Sequence, residues 1–178
     1  MKFIVLSMAI LFSFKAYSLK ILPTAKSVDL KRYIGRWYVI TSLPRFFTKK
    51  CIGQIADYKL LPNGNLHLKN TCVKKRDRTH SMEGEGTVIN KITNAEIEVD
   101  FDNFFTKLFG FRGDYTIIKL DPDYNFVMVG DKKRKTLWIM SREREMPKDI
   151  LNEYIKFARD QGFATEDLKR SKYFKTMK

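Results

Sequence analysis

A chain of 178 residues with 34 lysines and arginines against 20 aspartates and glutamates is long enough for one domain around a single core, and its net charge of +14 draws it toward anionic surfaces. Two histidines and two cysteines leave little from which to build a catalytic or metal centre. The basic residues are spread along the chain except in two clusters, Lys74-Lys75-Arg76 with Arg78 and the terminal Lys169, Arg170, Lys172, Lys175 and Lys178, which read either as solvated basic faces or as membrane-docking surfaces.

Residues 1–18 have the pattern of a secretory leader. Lys2 supplies the positive start, Phe3 to Phe14 the apolar run, and Ala16-Tyr17-Ser18 the small residues a signal peptidase reads. Cleavage before Leu19 leaves one domain over 19–178, with a basic tail from about residue 169. The apolar run is roughly half the length of a membrane span, so export is expected, to the periplasm or outer membrane of a bacterium or to the exterior otherwise. An exported chain seldom meets nucleic acid, which is not expected as a partner. Lys2 and Lys15 leave with the leader, which takes the charge from +14 to +12. Since no cysteine precedes Cys51, an N-terminal lipid anchor on cysteine is not expected.

Gly35-Arg36-Trp37-Tyr38 opens about eight strand-like segments that end in Leu137-Trp138-Ile139-Met140-Ser141-Arg142. A tryptophan at the start of the first strand and an arginine at the end of the last can plug the floor of a closed barrel, the guanidinium on the indole face contributing about 1 kcal/mol. Alternation with period two marks the strands between. From Ile52 to Leu60 the even positions, Tyr58 among them, point inward, and from Leu66 to Cys72 the same parity collects Leu66, Leu68, Asn70 and Cys72. Ile97, Val99 and Phe101 form the dry face of the fifth strand. Met82, Gly84, Gly86 and Val88 share one parity of the fourth, and inward glycines there favour a hollow lumen, with a bulge or weak spot as the alternative.

Export permits a disulfide between Cys51 and Cys72. If Asn63-Gly64 is a two-residue hairpin turn, facing residue numbers sum to 127, as 63 and 64 do, and Cys72 opposes Ile55. A bulge would bring Cys51 within reach; a disulfide and two free thiols both remain open.

The sixth, seventh and eighth strands run from Arg112 to Leu120, Asn125 to Asp131 and Thr136 to Arg142. Between the fifth and sixth lies Phe104-Phe105-Thr106-Lys107-Leu108-Phe109-Gly110-Phe111, too apolar for a solvent loop. With basic loops near Arg45 to Lys50, Lys74 to Ser81 and Lys132 to Lys135 at the same barrel end, Phe104, Phe105, Leu108 and Phe109 suggest a rim that dips into an anionic membrane; a lid over the mouth and a homodimer contact are the alternatives. Pro147 can start a helix, and Ile150, Leu151, Tyr154, Ile155 and Ala158 follow at helical spacing before Gly162 ends it. A helix-like turn at Thr165 to Lys169 precedes a last short segment. The chain carries no repeat and no domain boundary.

Several blocks carry a family resemblance: Val28-Asp29-Leu30 with Tyr33-Ile34-Gly35-Arg36-Trp37-Tyr38; Pro62-Asn63-Gly64; Phe111-Arg112-Gly113-Asp114-Tyr115 with Leu120-Asp121-Pro122-Asp123-Tyr124; Arg134-Lys135 with Leu137-Trp138-Ile139; and Gln161-Gly162-Phe163. From Val28 to Phe163 the chain resembles the lipocalin branch that contains the bacterial outer-membrane lipocalins and apolipoprotein D. Gly113 replaces the residue that usually precedes Asp114-Tyr115 in that pattern. The resemblance implies an all-β fold, an eight-stranded antiparallel up-and-down barrel with one C-terminal α-helix packed outside. It further implies a cavity for a hydrophobic or amphipathic lipid of the fatty-acid or lysophospholipid class, without cofactor or metal. Tyr58, Asn70, Phe101, Tyr115 and Trp138 match pocket-lining positions, while Gly35, Trp37 and Arg142 are structural. A buried Asn70 amide would need a partner, since leaving it without one costs about 1–3 kcal/mol.

Enzyme chemistry has few candidates. His67 lies on the wet parity and His80 in a polar loop, so neither is a convincing base or ligand. Cys72 is the one nucleophile candidate. The expectation is a binding protein; the alternative is an enzyme on the same scaffold that isomerises or cleaves a lipid with Cys72 or Tyr58.

Overall fold

The computed structural model of the chain describes residues 21–46, 48–101 and 112–173. The expected leader over residues 1–18 and the aromatic segment containing Phe104, Phe105, Leu108 and Phe109 lie outside the described residues. Eight strands follow one another: β1 (Gly35–Ser42), β2 (Gly53–Leu60), β3 (Leu66–Val73), β4 (Thr79–Val88), β5 (Glu96–Phe101), β6 (Arg112–Leu120), β7 (Phe126–Gly130) and β8 (Leu137–Ser141). Each pairs antiparallel with the next, and β1 pairs with both β2 and β8, which closes the barrel. Among the described residues the one long helix, α2 (Lys148–Asp160), packs outside, as the sequence leads one to expect. A short α1 (Leu30–Tyr33), which the sequence reading lacks, precedes β1; its cap is the Asp29 carboxylate, which accepts from the Lys31 N–H at 2.9 Å.

Two cores share the sheet. Trp37, Tyr33, Leu66, Ile97, Ile117 and Val127 fill the lower barrel. Ile40, Ile118, Met128, Leu137, Ile139, Leu151, Tyr154 and Phe163 are buried between the outer face of the sheet and α2. Strands β7 and β8 are therefore covered on both faces, which is why Phe126–Gly130 and Leu137–Ser141 read as nearly continuous apolar runs rather than alternating ones. Within β1 the register shifts between Val39 and Thr41, and Val39 faces the lumen while Ile40 joins the outer core.

The floor is held by Arg142. Its guanidinium lies 3.7 Å from the centre of the Trp37 ring and donates to the carbonyls of Arg36 (2.9 Å), Arg32 (2.7 Å), Tyr33 (3.1 Å) and Tyr124 (3.2 Å). Trp37, fully buried, donates its indole N–H to the Tyr33 carbonyl at 2.9 Å. Gly35 has φ +98°, and a side chain there would start 3.4 Å from Arg142 Nη1, so glycine answers both a left-handed backbone and a close neighbour.

Two expectations need correction. Leu60 pairs with Leu66 and Gln54 with Cys72, so facing numbers sum to 126 rather than 127. The connection is a five-residue loop in which the Leu61 N–H donates to the Asn65 carbonyl and the Gly64 N–H to the Leu61 carbonyl. Inward residues are even-numbered on both strands, and only an even sum lets two even positions face each other. Cys51, just ahead of β2, is disulfide-bonded to Cys72 with their Cα atoms 5.3 Å apart; beside it the Ile52 N–H donates to the carbonyl of Val73, which is paired with Gly53, so two residues face one there, as in a bulge. The glycines of β4 do not hollow the lumen. A Cβ on Gly84 would lie 2.4 Å from the Asp100 carbonyl oxygen, and one on Gly86 would lie 2.7 Å from Leu68 Cδ1 and 2.9 Å from Ile97 Cγ2. They permit close packing of neighbours that already occupy the space.

The seam between β1 and β2 is closed from the other end of the chain. These strands pair only from Gly35 to Tyr38. Beyond that, β9 (Lys169–Arg170) pairs with Ser42 and Thr41, the Ser171 N–H donates to the Ile40 carbonyl and the Lys172 N–H to the Ile52 carbonyl. The Tyr173 hydroxyl sits between the carbonyls of Val39 and Gln54, its ring over Gly53.

Arg142→Leu should lower unfolding free energy by about 3 kcal/mol or more in urea titrations, because several carbonyls lose their donor along with the ring contact. Arg142→Lys should recover only part of this, since an ammonium cannot fork among them.

Candidate ligand cavity

Above the filled floor the barrel holds a cavity of about 480 Å³, within the roughly 300–1,000 Å³ range of small-ligand sites. It opens at the end that carries the β1–β2, β3–β4 and β7–β8 connections.

At the bottom of the cavity stand three tyrosines. The Tyr33 and Tyr115 hydroxyls are 2.6 Å apart, and the Tyr115 hydroxyl donates to that of Tyr58 at 3.2 Å. Tyr33 packs on Trp37 at 5.5 Å between ring centres, so the cluster rests directly on the floor. Burial disfavours the phenolate of each. It pushes Tyr58 up to about 12 and holds Tyr33 and Tyr115 well above the usual tyrosine range; both neighbouring phenols add to the effect at Tyr115, whereas at Tyr33 the Tyr58 phenol adds to it and the hydrogen bond with Tyr115 opposes it.

Phe101, Met82, Val129, Met140 and Trp138 form the apolar middle, and Arg45, Gln54, His80, Asp131 and Thr136 the mouth. Asp131 is occupied with the backbone N–H groups of Lys135 and Thr136. Arg112 pairs with Glu98 and Asp100.

All five wall residues expected from the sequence, Tyr58, Asn70, Phe101, Tyr115 and Trp138, line this one cavity. Asn70 is exposed to the open part of it rather than buried, so its amide has water at hand and does not by itself demand a ligand. His80 lies in β4 at the mouth, not in a loop; the strand begins earlier than its alternating core suggests. His67 sits outside the barrel, 3.1 Å from Glu83. The disulfide removes Cys72 as a nucleophile, and a Tyr58 phenol that ionises only near 12 is a poor base at neutral pH. Tyr33 and Arg45 were missed. Tyr33 projects from the short α1, where neither strand period nor helix length gives a signal, and Arg45 lies in a connection.

The lipocalin-like domain family matches residues 28–173. Temperature-induced lipocalin-1 of Arabidopsis thaliana is 30% identical over 155 residues, 85% of this chain and 83% of that protein. The outer membrane lipoprotein Blc of Escherichia coli K12 is 31% identical over 137 residues, 76% of this chain and 73% of its own length. Among solved structures, insecticyanin from the tobacco hornworm Manduca sexta superposes with a TM-score of 0.67 at 14% identity, covering 92% of this chain and 90% of that one. A closed antiparallel barrel with a dry-walled cavity is the architecture of a small-hydrophobe-binding protein. The chain belongs to the lipocalin family.

Because the buried tyrosines ionise later in the folded state than in the unfolded chain, the stability they confer is complete below about pH 10, the free tyrosine value, and is lost as pH rises through the folded value, about 12 for Tyr58. Urea midpoints should fall over that window, by up to about 1.4 kcal/mol per pH unit for each such group. Tyr115→Phe should flatten the fall.

Proposed function

We propose that this protein is an exported, non-enzymatic lipocalin that binds, stores or transports one amphipathic lipid of the fatty-acid or lysophospholipid class. The observation that carries the proposal is the cavity of about 480 Å³ walled by Phe101, Met82, Met140 and Trp138 and open at one end. Each methylene moved from water into such a lumen contributes about 0.8 kcal/mol, so an acyl chain gains several kcal/mol before the loss of its freedom is subtracted. Polar groups stand at the mouth, where a head group would remain. Membership of the lipocalin family supports a small hydrophobic ligand, and the Cys51–Cys72 disulfide suits an oxidising compartment.

The mouth also supports contact with an anionic membrane. Lys49 and Lys50, Lys75, Arg76 and Arg78, and Lys133 and Lys135 are exposed on the three described connections at that end, with Phe46 beside them 81% exposed. Basic residues near an anionic lipid surface contribute about 1 kcal/mol each. A lipid carrier docked by its mouth would load and unload without passing its ligand through water.

Native mass spectrometry of protein purified from its own source should find one acyl-chain lipid per chain, and Trp138→Glu should abolish the adduct; recovery of the bare mass alone would sink the lipid reading. Reversing Lys75, Lys133 and Lys135 to Glu should weaken co-sedimentation with phosphatidylserine vesicles at least tenfold while leaving the lipid adduct in place.

A further inference from the structure

The three tyrosines at the bottom of the cavity hold one proton too many. Three hydroxyls bring three protons, and the two contacts between them, Tyr33 to Tyr115 at 2.6 Å and Tyr115 to Tyr58 at 3.2 Å, use two. Every pattern of donation leaves one over; with Tyr33 and Tyr58 both donating to Tyr115 it would be the proton of Tyr115 itself. Donation from Tyr58 toward Tyr33 would strand it on Tyr33, which has no exposed surface and does not line the cavity. The heavy-atom angles assign donation from Tyr115 to Tyr58, so Tyr33 donates to Tyr115 and the spare proton stays on Tyr58. Tyr58 is 3% exposed, lines the cavity and has no acceptor for that proton among the described residues. A buried donor left unmade costs about 1–3 kcal/mol, and nothing in the apolar wall of Leu68 and Val99 beside it can accept.

We propose that Tyr58 is the donor of a deep polar subsite, and that the lipid this cavity takes carries an uncharged oxygen acceptor, such as a carbonyl, ether or hydroxyl oxygen, at the end that reaches the floor. This rests on the lipid-binding reading of the cavity and narrows its ligand to a chain oxygenated at the inner end. A plain alkyl terminus would press a methyl group against the Tyr58 hydroxyl and exclude any water that served it. A carboxylate fits no better. The cation beneath the cluster, Arg142, already divides its N–H groups among backbone carbonyls and lies over Trp37, and the burial that holds all three phenols neutral would equally disfavour an inserted anion.

Methyl nonyl ketone and the alkene of the same skeleton, with C=CH2 in place of C=O, separate this subsite from general lipid binding. Both should displace a fluorescent fatty-acid probe from the wild-type protein. Infrared spectra of the carbon-13-labelled ketone should place its bound carbonyl stretch below that in hexane, as hydrogen bonding requires. Tyr58→Phe alone leaves the Tyr115 proton free to turn into the cavity, so the decisive variant is Tyr58→Phe with Tyr115→Phe. It should weaken the ketone about fivefold, return its carbonyl stretch to the hexane position and leave the alkene within about twofold, a difference that cancels unequal hydration of the two probes. An unshifted carbonyl in the wild-type protein, with both probes bound, overturns the subsite and spares the cavity reading. Failure of both probes to bind overturns both.

Discussion

Arg142 joins parts of the chain that are far apart in sequence. Its guanidinium lies on Trp37 of β1, at the far end of the barrel from the opening, and donates to carbonyls of α1, of β1 and of the β6–β7 connection. A partly desolvated arginine is disfavoured by burial, which here works against its charge. What offsets that is the match between a planar, forked cation and several carbonyls that have no other strand to pair with. The floor is thereby fixed, and the tyrosines stacked above it inherit a fixed position. A cavity can persist above them because the residues below do not have to fill it to remain in place.

The interior is divided along its length. Below, Trp37, Tyr33, Ile97, Ile117 and Val127 interlock as an ordinary core. Above, a cavity remains, with hydroxyls beneath, aromatic and thioether side chains around the middle, and charged and polar groups at the opening. Stability and binding are in this way assigned to different halves of one barrel. The outer core beneath α2 adds a second apolar interface that owes nothing to the lumen, so the hollow half is supported from outside the sheet.

How far the sequence revealed this depended on the kind of signal. Strands with one wet and one dry face, β2, β3 and β5, announced themselves by alternation, and Tyr58, Asn70 and Phe101 could be placed inward on that basis alone. Trp138 needed the family resemblance because β8 is covered on both faces and its apolar residues do not alternate; Tyr115 needed it because β6 alternates only over its first residues before the buried run from Thr116 to Ile118. The hairpin register was misjudged by trusting Asn63-Gly64 as a two-residue turn over the parity of the flanking strands, which already demanded an even sum. Gly84 and Gly86 were misread for a different reason. Alternation tells which way a side chain would point, but not that the Asp100 backbone and the Leu68 and Ile97 side chains already stand there. Tyr33, on a single turn of helix, left no periodic trace at all.

The segment that seals the β1–β2 seam gives the order of chain growth a part in folding. β1 emerges before the other strands of the barrel, yet one of its edges pairs with β8, and the other, beyond its short pairing with β2, pairs with the stretch through Lys169, Arg170 and Tyr173. Until that stretch emerges, a row of unpaired backbone groups stays open to any passing strand, and the closing contacts span most of the chain, a topology that folds slowly. The nascent barrel must therefore emerge strand by strand with its oldest strand partly uncovered, and the stretch from Lys169 to Tyr173 acts as the stitch that ends the exposure.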